Sequence, residues 1–163
     1  MSPPVHFNPA GEVVEAFISP RQPPFIRTRR YSGRRADGIR YERRVHAHLL
    51  ELFPDTYLPS PWLHFKSAGR WRWCQPDGLL FDLAHGRIII VEVKYSHTSD
   101  AWWQVRRLYL PVLRKCFPEG LWRFEACEVV RWFDPLTHFP EPLEMAAEVD
   151  QHGEKFRVHI WKA

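Results

Sequence analysis

Two apolar, β-branched runs, Leu79-Leu80-Phe81 and Arg87-Ile88-Ile89-Ile90-Val91-Glu92-Val93-Lys94, are joined by Ala84-His85-Gly86, and no other feature constrains the fold as much. Residues of this kind fit a pleated, half-buried surface, and a short glycine-containing link closes two such runs into a hairpin. Side chains alternate along a strand, so Glu92 and Lys94 share one face while Val91 and Val93 take the other. Pro76-Asp77-Gly78 leads into the first run and brings a second carboxylate to the same end of the sheet. Carboxylate oxygens bind hard cations, and a neighbouring ammonium can orient a water or hold a phosphate. Two carboxylates and a lysine at one sheet end predict metal-dependent phosphodiester hydrolysis.

A strongly periodic helix precedes the hairpin. It opens at Gly38-Ile39-Arg40-Tyr41-Glu42, and Glu42, Val45, Leu49, Leu52 and Phe53 follow one stripe, with Arg43, Arg44, Ala47 and Glu51 elsewhere around it. Glu42 therefore lies on or beside the apolar face. There it needs a cation, a hydrogen-bond partner or a metal, and pairing with a nearby arginine is the plainer alternative. After the hairpin, Thr98, Ser99 and Asp100 are good capping residues for a second helix through Trp102, Val105, Leu108, Val112 and Leu113, with Gln104 one turn in. Pro111 should kink or end that helix.

The order Gly-hydrophobic-x-x-Glu ending at Glu42, Pro76-Asp77, Glu92-Val93-Lys94 and Gln104 resembles the motif series of the PD-(D/E)XK nuclease superfamily, RecB-like branch. The resemblance runs from Gly38 to about Tyr109. It implies an α/β protein with a restriction-endonuclease-like core, a central mixed β-sheet flanked by helices. It also implies Mg²⁺ or Mn²⁺ held by Asp77, Glu92 and the carbonyl of Val93, with Glu42 bound through water or to a second metal. Lys94 would orient the attacking water or stabilise phosphoryl charge, and Gln104 would position Lys94 or the phosphate. The branch carries Gln-x-x-x-Tyr, whereas Tyr109 stands one place later and would not share a face with Gln104 on a straight helix.

At 163 residues and 45% hydrophobic, the chain can build one sizeable core. No apolar run approaches the roughly 20 residues a membrane helix needs, which leads us to expect a cytoplasmic protein, in the host cytoplasm if phage-encoded. Cys74, Cys116 and Cys127 form no CxxC pair, so no zinc site is expected, and three cysteines cannot supply the four-cysteine iron–sulfur site that the resemblance to the RecB-like branch would otherwise allow. His46 and His48, two apart on one helix, read as ordinary histidines.

Charge is unevenly spread. Nine arginines between Arg21 and Arg44 face only Asp37 and Glu42, while the segment after Phe117 is acidic. Residues 1–33 read as an extended, basic, proline-containing arm and residues 34–163 as a single nuclease-like domain. Arg29, Arg30, Arg34 and Arg35 suit contact with a polyanion, or simply solvate their segment. Arg70-Trp71-Arg72-Trp73 alternates, and we expect core tryptophans with Arg70 and Arg72 facing DNA; Tyr109 is a further candidate contact. Trp62-Leu63-His64-Phe65-Lys66, residues 123–130 and residues 155–161 read as strands, 133–142 as a rigid loop and 143–149 as a short acidic helix. The expected function is a DNA nuclease, such as a phage or mobile-element processing enzyme acting with a protein partner or as a homodimer. The alternatives are a non-catalytic nucleic-acid-binding or assembly protein on the same fold and, lower, an RNA nuclease.

Overall fold

The computed structural model describes residues 11–26, 30–95, 103–118, 120–131, 145–149 and 155–162. The chain is mixed α/β, with two sheets. β1 (Val13–Ser19), β3 (Trp62–Ser67) and β4 (Arg70–Cys74) form an antiparallel three-stranded sheet in the order β1-β3-β4. β2 (Tyr57–Pro59), β5 (Gly78–Asp82), β6 (Arg87–Lys94), β7 (Arg123–Val130), β8 (Met145–Val149) and β9 (Lys155–Lys162) form a six-stranded sheet in the order β2-β5-β6-β7-β9-β8. In the larger sheet β6 runs parallel to β7 and β7 to β9, and the remaining pairs are antiparallel.

The predicted hairpin is β5–β6, and its continuous apolar sequence follows from burial on both faces. Ile89, Val91 and Val93 pack with Tyr41, Val45 and Leu49 of α1 (Gly33–Leu52), together with Tyr57, Cys127 and Val129. Ile88 and Ile90 take the opposite face with Leu63, Phe65 and Cys74 of the small sheet and Leu110, Val112 and Leu113 of α2 (Leu110–Cys116). Alternation therefore places Glu92 and Lys94 on the α2 side. At the far end of the hairpin, Arg87 donates from Nε to Asp82 (2.5 Å) and from a terminal nitrogen to the buried Glu125 (2.9 Å). Those bonds fasten β5, β6 and β7 together.

Four local expectations change. The proline-containing arm includes β1, whose Val13 is buried and whose Ala16 and Ile18 pack on the core, because β3 offers a free edge for pairing. The first helix starts at Gly33 rather than Gly38, which carries Arg34 and Arg35 onto its exposed first turn. The alternation of Arg70-Trp71-Arg72-Trp73 holds, but its phase is reversed. Trp71 and Trp73 pair with Lys66 and His64 on the outer face, whereas Arg72 pairs with Phe65 on the face that carries Leu63 and Cys74 into the core. The expected acidic helix at 143–149 contains strand β8 instead, paired antiparallel with β9, since an adjacent strand satisfies its backbone groups. The expected capping residues Thr98, Ser99 and Asp100, Trp102 and the 133–142 loop lie outside the described residues.

Among the described residues, no helix is long and apolar enough to cross a membrane. Cys74 and Cys127 are buried and Cys116 half-buried, all as free thiols.

Candidate active site

Asp77 and Glu92 meet where β5 begins and β6 ends. The Val93 backbone N–H donates to Asp77 Oδ2 at 2.6 Å, and the Asp77 backbone N–H points to Glu92 Oε2 at 3.5 Å. Lys94, two residues along the same face, donates from Nζ to Glu92 Oε1 at 3.2 Å. Glu92 is only 2% exposed, while the Lys94 side chain is 25% exposed and reaches the surface beside it. The sequence thus places two carboxylates and one ammonium together, and strand alternation alone does most of the work.

The electrostatics follow from burial. Burial pushes the Glu92 carboxyl above the usual carboxylate range, and the Asp77 charge pushes it further, against the opposing pull of Lys94. Asp77 is raised by burial and then by Glu42, with the Val93 N–H, Lys94 and His46 opposing. Burial alone would lower Lys94, yet Glu92 and Asp77 outweigh it and hold the ammonium above its ordinary value. A buried glutamate and a half-buried aspartate that repel each other, with an ammonium beside the glutamate, are a donor set suited to a hard divalent cation. The Val93 side chain is buried on the α1 face and its N–H holds Asp77.

Glu42 approaches from the other side of the sheet. It contacts His46 Nε2 through Oε1 at 3.3 Å, and His46 Nδ1 lies 2.7 Å from the Tyr57 hydroxyl. Its neighbour in this structure is thus a histidine, not an arginine as in the plainer alternative to metal binding. Glu42 is near enough to raise Asp77, but among the described residues no three His, Cys, Asp or Glu side chains are gathered to hold one metal ion. Asp77 and Glu92 are the carboxylates that the structure brings together most directly.

Gln104 and Tyr109 resolve the spacing mismatch. Residues Val105–Tyr109 form a π-helical turn directly ahead of α2. Pro111 has no N–H to donate and its ring crowds the preceding turn, so a wider turn ahead of it is the local solution. In an i to i+5 turn, residues five apart share a face, and Gln104 Nε2 donates to the Tyr109 hydroxyl. That hydroxyl donates in turn to the Gln75 carbonyl at 2.8 Å, and Gln75 Nε2 donates to the Ser60 carbonyl at 2.7 Å. Ser60, held at φ 47°, donates its backbone N–H to the Asp77 carbonyl at 2.7 Å. Tyr109 is 2% exposed, so it braces the Gln75-Pro76-Asp77 segment from inside and offers no surface to nucleic acid.

Three residues escaped the sequence reading. His46 links Glu42 to Tyr57; its spacing of four from Glu42 was the available signal. Tyr57 covers Gly78 so closely that a Cβ there would lie 2.6 and 2.7 Å from ring carbons, which explains a glycine where φ is ordinary. Glu128, buried on β7, sits beside Glu92 in the parallel register, and its charge reaches Lys94. Only the strand order could reveal that pairing.

Of the expected nucleic-acid contacts, Arg30, Arg34, Arg35 and Arg70 are exposed, with Arg35 stacked 4.2 Å over the Tyr31 ring. Arg72 is half-buried, and its Nε has no hydrogen-bond partner among the described residues. Arg29 lies outside them. Compared with known proteins, the chain matches no protein-family profile, no curated protein and no solved structure.

Proposed function

We propose that this protein is a divalent-metal-dependent deoxyribonuclease of the PD-(D/E)XK type, related to its RecB-like branch. The observation that carries the reading is the Asp77–Glu92–Lys94 arrangement, with Asp77 clamped by the Val93 N–H at the open end of the β5–β6 hairpin. The antiparallel hairpin followed by a parallel β7, with α1 ahead of it, is consistent with a restriction-endonuclease-like core. The braced Gln104–Tyr109–Gln75 connection supports it further.

In this reading Asp77 and Glu92 would hold Mg²⁺ or Mn²⁺, which would supply Lewis acidity toward the phosphoryl group and lower the pKa of the attacking water. Lys94 exchanges its contact with Glu92 for the water or a phosphoryl oxygen, and Glu128 keeps a countercharge beside it. Gln104 and Tyr109 hold the Asp77 loop in place. Water oxygen attacks phosphorus and gives up a proton to solvent, the bond to the leaving sugar oxygen breaks, and that oxygen takes up a proton from solvent, so that one water is added across the bond. The test is cleavage of plasmid and end-labelled DNA with Mg²⁺, Mn²⁺ or EDTA. Lys94→Ala should keep the wild-type fold and lose metal-dependent product; full activity in that variant overturns the assignment.

A second reading has one observation in its favour: Glu42 is engaged with His46 and does not complete a three-carboxylate set. A protein that binds DNA without cutting it would tolerate that geometry. Such a protein gives no product with any metal and binds DNA equally well after Asp77→Asn.

A further inference from the structure

The outer face of the small sheet carries a contiguous set of aromatic rings that the core does not use. His64 stacks on Trp73 with ring centroids 3.9 Å apart and planes 9° from parallel, and lies 4.6 Å from Trp71. Phe17 meets Trp71 edge-on at 5.9 Å, and Trp62 meets Trp73 edge-on at 6.3 Å. Trp71 is 43% exposed and Phe17 42% exposed. Single exposed apolar residues need no explanation, but a joined patch of them does.

Cross-strand register makes the patch. Phe17, His64 and Trp73 form one row across β1, β3 and β4, and Lys66 lies opposite Trp71. Lys66 is half-buried and lies between Trp71 on β4 and Glu15 on β1 in the cross-strand register, so it is the cation that these strands set beside the rings. β4 then runs straight into Gln75-Pro76-Asp77, so Trp73 stands four residues before the first carboxylate. At about 3.3 Å per extended residue, that separation is no more than roughly 13 Å.

We infer that this face is a stacking platform for unpaired DNA bases, which feeds a single strand or a frayed end toward Asp77. Every base has a π face, so stacking on open rings is tolerant of sequence, and a cation beside the rings, here Lys66, can hold a phosphate. This inference rests on the nuclease reading for its direction toward the site. The binding it describes does not depend on catalysis.

The test uses the full chain in EDTA, with labelled oligo(dT) and a blunt duplex as probes, read by anisotropy and by quenching of tryptophan emission. Wild type should bind oligo(dT) more tightly than duplex and show quenching. Trp71→Ala combined with Phe17→Ala should weaken oligo(dT) binding by about 10-fold or more, the scale of one lost stacking contact. Leu83→Ala, which trims another exposed apolar side chain in the β5–β6 turn, should leave binding unchanged. Unchanged oligo(dT) affinity in the double variant overturns the inference, as does preference for duplex. A wild-type dimer that the double variant splits, with DNA affinity retained, assigns the face to a second copy and also overturns it. Ring-dependent oligo(dT) binding without metal-dependent cleavage of any substrate would sink the nuclease reading and leave the platform standing.

Discussion

Asp77→Asn should stabilise the metal-free protein, and the effect should grow with pH. Burial and neighbouring carboxylates raise the Asp77 carboxyl to about 6, against about 4 in an unfolded chain. The folded state then holds the proton over a range in which the unfolded state has released it. Wild-type stability therefore falls as pH rises from about 4 to about 6 and stays lower above that window. Two units correspond to about 3 kcal/mol, a figure already net of the attraction of Lys94 and the Val93 N–H, and a ceiling because Asp77 is partly exposed to solvent. The asparagine carbonyl can still accept the Val93 N–H, so the clamp survives. For a domain of this size, about 1–3 kcal/mol moves the melting temperature by roughly 2–12 °C. Thermal unfolding in EDTA at pH 4 and pH 8 should show near-equal wild type and variant at the acid end, and a clearly more stable variant at pH 8. Added Mg²⁺ or Mn²⁺ should raise the wild-type melting temperature, since a ligand that binds only the folded state stabilises it, and should raise the variant much less. A variant equal to or less stable than wild type at pH 8 in EDTA refutes the idea that Asp77 sits in a strained cluster of carboxylates.

Gly78→Ala should cost about 1–3 kcal/mol, because the new Cβ enters the Tyr57 ring, and it should displace Tyr57 from His46. Denaturant unfolding measures the loss, and adding Tyr57→Leu should recover part of it by making room. Tyr109→Phe removes the hydroxyl that joins Gln104 to the Gln75 carbonyl in a buried setting, so stability should drop by about 1–3 kcal/mol in the same assay. Its turnover should fall while duplex binding in EDTA changes little, since Tyr109 is buried away from the surface.

The sequence by itself determined the hairpin, the shared face of Glu92 and Lys94, and the approach of Asp77 to both. Those follow from a period of two and a turn, which are local properties of the chain. The stripe of the first helix was legible at Val45 and Leu49 for the same reason, but Tyr41 is buried outside the expected stripe and Leu52, expected within it, is 40% exposed at the helix end. Tertiary structure alone decided which face of each strand points inward. Arg70-Trp71-Arg72-Trp73 fixes an alternation but no phase, and the pairing of β4 with β3 turned the tryptophans outward onto His64. It also decided that Val13–Ser19 joins a sheet and that Met145–Val149 is a strand, because pairing depends on an edge supplied by distant residues. The one-residue offset of Tyr109 is accommodated by the widened turn ahead of Pro111, a feature that only the folded chain displays. Glu128 enters beside Glu92 only through a parallel neighbour, and sequence separation hides such a contact. Local periodicity writes side-chain direction into the chain, whereas strand order and burial, which set the charges of this site, arise only when remote segments compete for the same edges and faces.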